Sequence, residues 1–436
     1  MIEKIKKAIE LIKSTSLPIK VISHFDTDGI TSAAIFSRAL QRIGKNFTLQ
    51  IIKGLEEDLI KNLPENHMII FLDLASGSLK YIKEKSNPFI IFDHHELSQE
   101  IPPNVFMVNP LLEGEESLCS AAICYLFAKT LSPQNKDLAN LAVIGMVGDS
   151  HDQNIGKRYD EIIKDADASV KKGLMIYPST RPLDKALEYS SSPYIPNVTG
   201  SYKGVIELLR EANIPKINGS FKALYELTDE EMTNLITSIV LKNPAKINTD
   251  KLIGNLYLIK SHNRVEDARE ISALINSGSR MGHPYISLGF CLGNKTMKSK
   301  AEKVYIEYKQ QLVSALKYIT EAEKITGNNY TIINAKNNIR DTIIGTVASI
   351  ISRSPVYTEG TIIIALAYSE NKIKVSARIA GREGRNVREV LEKVVVPLGG
   401  EVGGHPNAAG CLISKDHESQ FIEELKKVLD IELIKV

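Results

Sequence analysis

The sequence predicts an α/β protein, with a parallel sheet in its N-terminal third, a mostly helical middle region, and a smaller α/β module at the C-terminal end. Three observations carry this. Between Lys20 and about Ser150, short apolar runs alternate with helical patterns, which implies a parallel sheet covered on both faces. From Gly156 the alternation stops and helical spacing dominates. From Tyr330 strand and helix patterns resume. The divisions expected are 1–155, 156–328 and 329–436.

The opening MIEKIKKAIELIKS places Ile2, Ile5, Ile9 and Ile12 on one helical face. Its acidic residues Glu3 and Glu10 and the lack of a cleavage site favour an ordinary first helix over a targeting one. KVISHF reads as a buried strand, followed by the helical ITSAAIFSRALQRIG, which stops at Gly44. FTLQIIK, MIIFLDL, FIIFDHH and VFMVNP read as further strands, with the helical LEEDLIKNL and SLKYIKEKS between the earlier ones. The apolar AAICYLFAKTL and LANLAVIGMVGD read as two helices. The middle region carries polar turns such as SSSPYIPN. It ends in KSKAEKVYIEYKQQLVSALKYITEAEKITG, one helix of about 45 Å at 1.5 Å per residue, long enough to act as a spacer. In the last module YTIINA, TIIIALAYS, KIKVSARIA and AAGCLI read as strands. TIIGTVASIISRS, NVREVLEKVVVPLG and SQFIEELKKVLD read as helices.

At 436 residues and 43% hydrophobic, the chain can bury a substantial core and divide into domains. A net charge of +2 gives no polyelectrolyte signature, so any nucleic-acid surface must be local. Cys119, Cys124, Cys291 and Cys411 form no paired C-x-x-C motif, which argues against a zinc knuckle or a disulfide framework. No apolar run is long enough to span a bilayer. A soluble, cytoplasmic protein with no membrane partner is expected.

Four segments bearing acids or histidines share one placement, the C-terminal end of an apolar element. They are His24-Phe25-Asp26-Thr27-Asp28-Gly29, Asp73 in FLDLA, Asp93-His94-His95, and Asp149 in VGDS. In an open parallel sheet the carboxyl ends of the strands border the ligand crevice, so the four segments converge. Each alone has a plainer role: Asp26 and Asp28 could cap a helix, and His24 could be a satisfied core histidine. Together their carboxylates would repel one another, and divalent cations remove that cost. Imidazole and carboxylate without thiolate suit Mn²⁺ and tolerate Mg²⁺ or Co²⁺. The donors suffice for two ions, and two ions about 3.5–4 Å apart activate water and stabilise both oxygens of a phosphoryl displacement.

The ordered set HFDTDGITSA, FLDLA, FDHHE and VGDS resembles the DHH phosphoesterase superfamily. The C-terminal GGEVGGHPNAAG resembles the glycine-rich signature of its DHHA1 substrate domain. Within that superfamily the chain is most similar to the archaeal RecJ-like exonucleases, including the GINS-associated nuclease group. The resemblance implies one metal held by His24, Asp26 and Asp73, and a second held by Asp28, Asp73, His94 and Asp149, with Asp73 bridging. His95 would face the scissile phosphate, and Asp93 would orient a histidine ring. One departure stands out, because bacterial RecJ enzymes carry an Asp where this chain has His24.

Glycines 403 and 404 in GGEVGGHPNAAG would let backbone N–H groups approach a phosphate, with His405 as a donor or gate. A local basic patch, Lys372, Lys374, Arg378, Arg382, Arg385 and Arg388, follows along KIKVSARIAGREGRNVR. Ser376 and Arg378 look like the family's substrate-facing pair. SGSRMGHP, with Arg280 and His283, resembles a glycine–arginine motif of archaeal RecJ-like proteins. The implied function is a two-metal exonuclease acting on single-stranded DNA or RNA. The alternatives are a phosphoesterase for short oligoribonucleotides or nucleotide bisphosphates, and a Cdc45-like replisome subunit that binds GINS in the replicative helicase. Cdc45-like relatives have eroded ligand positions, whereas every expected position is filled here.

Overall fold

The computed structural model describes the chain apart from residues 98, 154, 191–194, 196, 243–251, 262, 263, 355, 382 and 432–436. Arg382 and most of the SSSPYIPN turn therefore lie outside the described residues. Two units are resolved by their internal contacts, Met1–Tyr305 and Ile306–Val436.

In the first unit, β1 (Ile19–His24), β2 (Phe47–Ile52), β3 (Met68–Leu72), β4 (Phe89–Phe92) and β5 (Val105–Val108) form one sheet in the order β2-β1-β3-β4-β5. All neighbours run parallel. The near-continuous apolar runs follow from burial on both sides. Val21, Ile70, Leu72, Ile90, Phe92 and Val108 join one core. Ile22, Ile69, Phe71, Phe89, Ile91 and Met107 join another. Each such side chain contributes about 1.5–3 kcal/mol when fully buried. The helix Thr27–Arg42 packs on the first core through Phe36, which stacks on Phe127 of the helix Ser120–Leu131 at 4.7 Å between centroids. Strand order reverses at β1, because β2 adds on one side and β3 on the other. That switch point is where open α/β sheets bind ligands.

The middle region is largely helical and has its own core, built on Leu208, Leu224, Leu235 and Leu256. It also holds a small antiparallel sheet that the sequence reading lacked, formed by β6 (Ser169–Leu174), β7 (Ile253–Ser261) and β8 (Arg264–Asp267). β6 and β7 are far apart along the chain, so no hairpin turn announces them. No helix among the described residues is long and apolar enough to cross a membrane.

The long helix runs Lys295–Glu321 and not through Gly327. Ile325–Gly327 forms β9 instead, paired antiparallel with β10 (Tyr330–Asn334) across a turn whose Asn329 has φ +59°. A short polar turn at an asparagine that tolerates positive φ overrides the helical spacing here. In the second unit β9 and β10 extend a six-stranded sheet with β11 (Ile362–Ser369), β12 (Lys372–Ile379), β13 (Val402–His405) and β14 (Ala408–Ser414), ordered β13-β14-β12-β11-β10-β9. Only β10 and β11 are parallel neighbours. The helices Val387–Val395 and Glu418–Asp430 supply Leu391, Phe421 and Leu425 to its core.

Candidate metal centre

Four chain segments meet beside the switch point. β1 ends on His24, and the next helix begins at Thr27 with Asp26 as its N-cap, accepting Gly29 N–H at 3.0 Å. Asp26 is thus a cap, as its plainer role suggested, and its Oδ2 also lies 3.0 Å from His24 Nδ1. Asp28 points back from the first helical turn, 2% exposed. Its oxygens accept Ser120 N–H at 2.7 Å and Ala121 N–H at 2.8 Å, so the start of the helix Ser120–Leu131 holds this carboxylate.

Asp73 follows β3 directly, 2% exposed, with φ +60°. A left-handed non-glycine residue is uncommon, and aspartate is among the few that accept it. Its N–H donates to Phe92 O at 2.9 Å, which fixes the turn against β4. Its two carboxylate oxygens face different histidines. Oδ2 lies 3.3 Å from His24 Nδ1, and Oδ1 lies 3.5 Å from His94 Nε2. Ser120 Oγ donates to Oδ1 at 3.0 Å.

His94 Nε2 is also 3.5 Å from Asp149 Oδ2 and 3.8 Å from Asp28 Oδ2. It is buried and completes no hydrogen bond. Asp149 closes the helix Ala139–Gly148. Asp93 is fully buried and accepts Ser76 N–H at 3.0 Å, His94 N–H at 2.8 Å and the His95 Nδ1 hydrogen at 2.7 Å. The His95 side chain is 56% exposed, so its other ring nitrogen is left on the open side.

The electrostatics describe a site that lacks positive charge. Burial and the neighbouring Asp73 charge hold the Asp28 carboxyl well above its usual range. Burial opposes charge on His94 too, yet Asp73, Asp28 and Asp149 keep its pKa at about 10. Burial is likewise outweighed at His24, where Asp26 and Asp73 hold the ring well above its ordinary value. The His95 hydrogen bond and charge overcome burial and hold Asp93 at about 2. Divalent cations would supply the missing charge without protons. The donors fit such ions: imidazole nitrogens and carboxylate oxygens, no thiolate, and an orphaned buried nitrogen at the centre. His24, Asp26 and Asp73 form one compact group, and His94, Asp149 and His151 form another.

His151, Ser120 and Tyr159 were absent from the sequence reading. His151 was legible in principle, since it stands two residues after Asp149 in GDSHD. Ser120 has no motif to mark it, because its role comes from a helix start meeting Asp28 and Asp73. Elsewhere in this unit Arg280 closes the helix Ala268–Arg280 and His283 is exposed just before the helix Pro284–Cys291. That first helix is tied to the motif by Asn276 Oδ1, which accepts Thr27 N–H at 3.1 Å.

In the second unit the glycine-rich segment is a β-hairpin, not a free loop. Register aligns Ser376, Gly410 and Gly403 in one row and Arg378, Ala408 and His405 in the next. Residues two apart share a sheet face, so Ser376, Arg378, Gly403 and His405 lie on the same side. Gly403 and His405 are exposed, while Ser376 is buried. Gly404 has φ +118° and a Cβ there would meet Ala408 O at 2.4 Å, so only glycine fits. Arg378 Nε donates to Ser349 Oγ at 2.9 Å. Arg385 departs from the expected basic patch: its guanidinium donates to Val428 O and Leu429 O, closing the last helix.

Residues 18–146 match the family described as DHH family, N-terminal domain; residues 327–430 match the DHHA1 domain; and residues 177–253 match the DHH-CID domain. The chain is 28% identical over 99% of its length to an uncharacterized protein of Methanocaldococcus jannaschii, covering 98% of that protein. It is 26% identical to the single-stranded-DNA-specific exonuclease RecJ of Bacillus subtilis, over 35% of this chain and 21% of that longer protein. Among solved structures, an exonuclease RecJ bound to manganese aligns with TM-score 0.61 at 16% identity, over 98% of this chain and 95% of the other. CDC45 from Entamoeba histolytica aligns with TM-score 0.66 at 12% identity, over 99% of both. The last two likenesses are of fold.

Proposed function

Since the chain belongs to the DHH/DHHA1 superfamily as a RecJ-like member, we propose that it is a metal-dependent exonuclease that hydrolyses phosphodiester bonds of single-stranded DNA or RNA with two divalent ions. One observation carries the reading: Asp73 presents Oδ2 to His24 and Oδ1 to His94, the arrangement of a carboxylate shared between two neighbouring cation seats. His24, Asp26 and Asp73 would hold one ion. Asp28, Asp73, His94 and Asp149 would hold the other. Mn²⁺ suits this donor set, with Mg²⁺ or Co²⁺ as substitutes. Such ions, when bound, acidify water and stabilise charge on the phosphoryl oxygens.

The protein side of the chemistry rests on this chain's own groups. Asp93 fixes the His95 ring and, through its hydrogen bond and charge, raises the ring's pKa, which favours the form that would offer a hydrogen bond to a phosphate oxygen. The Ser120 and Ala121 N–H groups keep Asp28 ionised and aimed once a cation is present. In the second unit, Gly403, Gly404 and His405 would bind the strand's backbone, with Ser376 and Arg378 on the same face. Arg280 and His283 are further candidates for strand contact. The functional divisions that follow are 1–155 for catalysis, 156–328 as connector and 329–436 for substrate.

The test is digestion of end-labelled single-stranded DNA and RNA of graded length with Mn²⁺. Successive shortening of long strands, abolished by a chelator, is the expected result. Preference for di- and trinucleotides would favour a short-oligonucleotide phosphoesterase instead. No metal-dependent cleavage, with co-purification of replicative helicase components such as GINS, would favour a Cdc45-like subunit. His405→Ala is expected to lower kcat/KM on long strands about tenfold, since one lost phosphate contact is worth about 1–1.5 kcal/mol. Its Mn²⁺ content, read by metal analysis, should stay at the wild-type value.

A further inference from the structure

His151 stands apart from the four sequence motifs, yet its Nε2 lies 3.0 Å from Asp149 Oδ2. The same oxygen is 3.5 Å from the orphaned His94 Nε2. The two histidine rings meet edge to face with centroids 5.4 Å apart. The three ligating atoms, one each from His94, Asp149 and His151, all lie within 4.8 Å of one another. The chain reverses at Ser150, φ +60°, which brings His151 back beside Asp149.

A simple hydrogen bond from His151 to Asp149 would account for one of these distances. It does not account for His94 Nε2, which converges on the same carboxylate oxygen and completes no hydrogen bond. The other side of the His151 ring settles which nitrogen faces the carboxylate. Nδ1 lies 3.0 Å from the hydroxyl of Tyr159, a buried residue from the helix Lys157–Asp165. Tyr159 Oη also accepts Cys119 N–H at 2.7 Å. With a cation on Nε2, the ring hydrogen would sit on Nδ1, and that oxygen is placed to accept it. Metal-bound histidines are commonly fixed in this way through their other nitrogen.

Resting on the two-ion reading, we infer that His151 is a ligand, through Nε2, of the ion seated by His94 and Asp149. A second imidazole makes that seat richer in nitrogen than the one at His24. Nitrogen donors favour Mn²⁺, Co²⁺ and Zn²⁺ over Mg²⁺, so His151 is a selectivity residue for the metal. Tyr159 acts through His151 as a positioning residue.

The experiment is calorimetric titration of metal-stripped, full-length protein with Mn²⁺ and separately with Mg²⁺, for wild type, His151→Asn, His151→Gln and Tyr159→Phe. Wild type is expected to take up two Mn²⁺. Both His151 variants should weaken one Mn²⁺ by on the order of 10–100-fold, while Mg²⁺ affinity changes by less than about threefold. Tyr159→Phe should weaken the same Mn²⁺ by a smaller factor. The Co²⁺-loaded His151 variants should also show a changed visible absorption band, a readout of coordination alone. Wild-type Mn²⁺ affinity in both His151 variants overturns the inference and leaves the two-ion reading intact. Equal loss of Mn²⁺ and Mg²⁺ also overturns it, since His151 would then only position Asp149. Uptake of fewer than two Mn²⁺ by wild type overturns the two-ion reading itself.

Discussion

Asp73→Asn is expected to lower Mn²⁺-dependent hydrolysis by about 10³-fold or more. Cation stabilisation of a phosphoryl displacement is worth several kcal/mol, and each 1.36 kcal/mol is a factor of ten in rate. Asparagine is the informative replacement, because it keeps the shape and tolerates the φ of +60° found at this position. Alanine would remove the same oxygens but add a backbone penalty. Stability does not follow activity. In metal-free protein burial and the Asp73 charge raise the carboxyl of Asp28, so the two acids repel, while the same Asp73 charge supports protonated His24 and His94. These effects oppose one another, so the metal-free variant should melt within about 1 kcal/mol of wild type. Wild type should gain stability with Mn²⁺ by mass action, about 2.7 kcal/mol at a hundredfold excess over Kd. Asp73→Asn should lose most of that gain. Mn²⁺-dependent hydrolysis retained within tenfold of wild type would remove Asp73 from its shared position.

The parallel sheet and the convergence of its motifs were legible because burial on both faces forces continuous apolar strands, and ligand residues then appear as polar letters at strand ends. His24, Asp73 and Asp93-His94-His95 are all of that kind. What the letters could not show is which backbone groups meet them. Ser120 reaches Asp73 from 47 positions away along the chain, through the packing of one helix start on another. β6 and β7 pair across a long insertion with no turn signal, so their alternation was lost among helices. β14 is legible as the strand AAGCLI, but the exposed β13 carries no strand signal because glycine has low strand propensity, and its pairing is held by β14. The helical spacing continues past Glu321 to Gly327, and the pairing of β9 with β10 across the turn at Asn329 is what takes Ile325–Gly327 out of the helix. Arg385 looked like part of a nucleic-acid surface, and its use as a helix cap depends on a helix more than forty residues away. In each case local propensity was correct for the segment alone and was overridden by a contact distant in sequence.

The glycine of the first motif leads to the second large effect. Gly29→Ala is expected to cost about 3 kcal/mol and to empty the metal site together. Gly29 needs no unusual backbone conformation; it needs space. A Cβ there would lie 2.3 Å from His24 O, 2.6 Å from His24 C and 2.7 Å from His24 Cβ. Two of these atoms are backbone at the end of β1, so they cannot rotate away. The helix start must move off the strand, and overpacking of this kind costs about 1–3 kcal/mol. The move also breaks the bond from Ser23 Oγ to Gly29 O at 2.7 Å and the Asp26 cap on Gly29 N–H at 3.0 Å. Ser23 is fully buried, so its stranded hydroxyl adds about 1–3 kcal/mol. The melting temperature should fall by roughly 6–12 °C, at about 2–4 °C per kcal/mol for a domain of this size. Asp26 and Asp28 immediately precede the displaced glycine, so Mn²⁺ uptake should fall with stability. Gly77→Ala is the matched control: it lies just beyond Asp73, and a Cβ there meets nothing within 4 Å. That variant should melt within about 0.5 kcal/mol of wild type and bind Mn²⁺ normally. If Gly29→Ala behaved like Gly77→Ala, the close seating of this helix on β1 would not be what aims the two carboxylates.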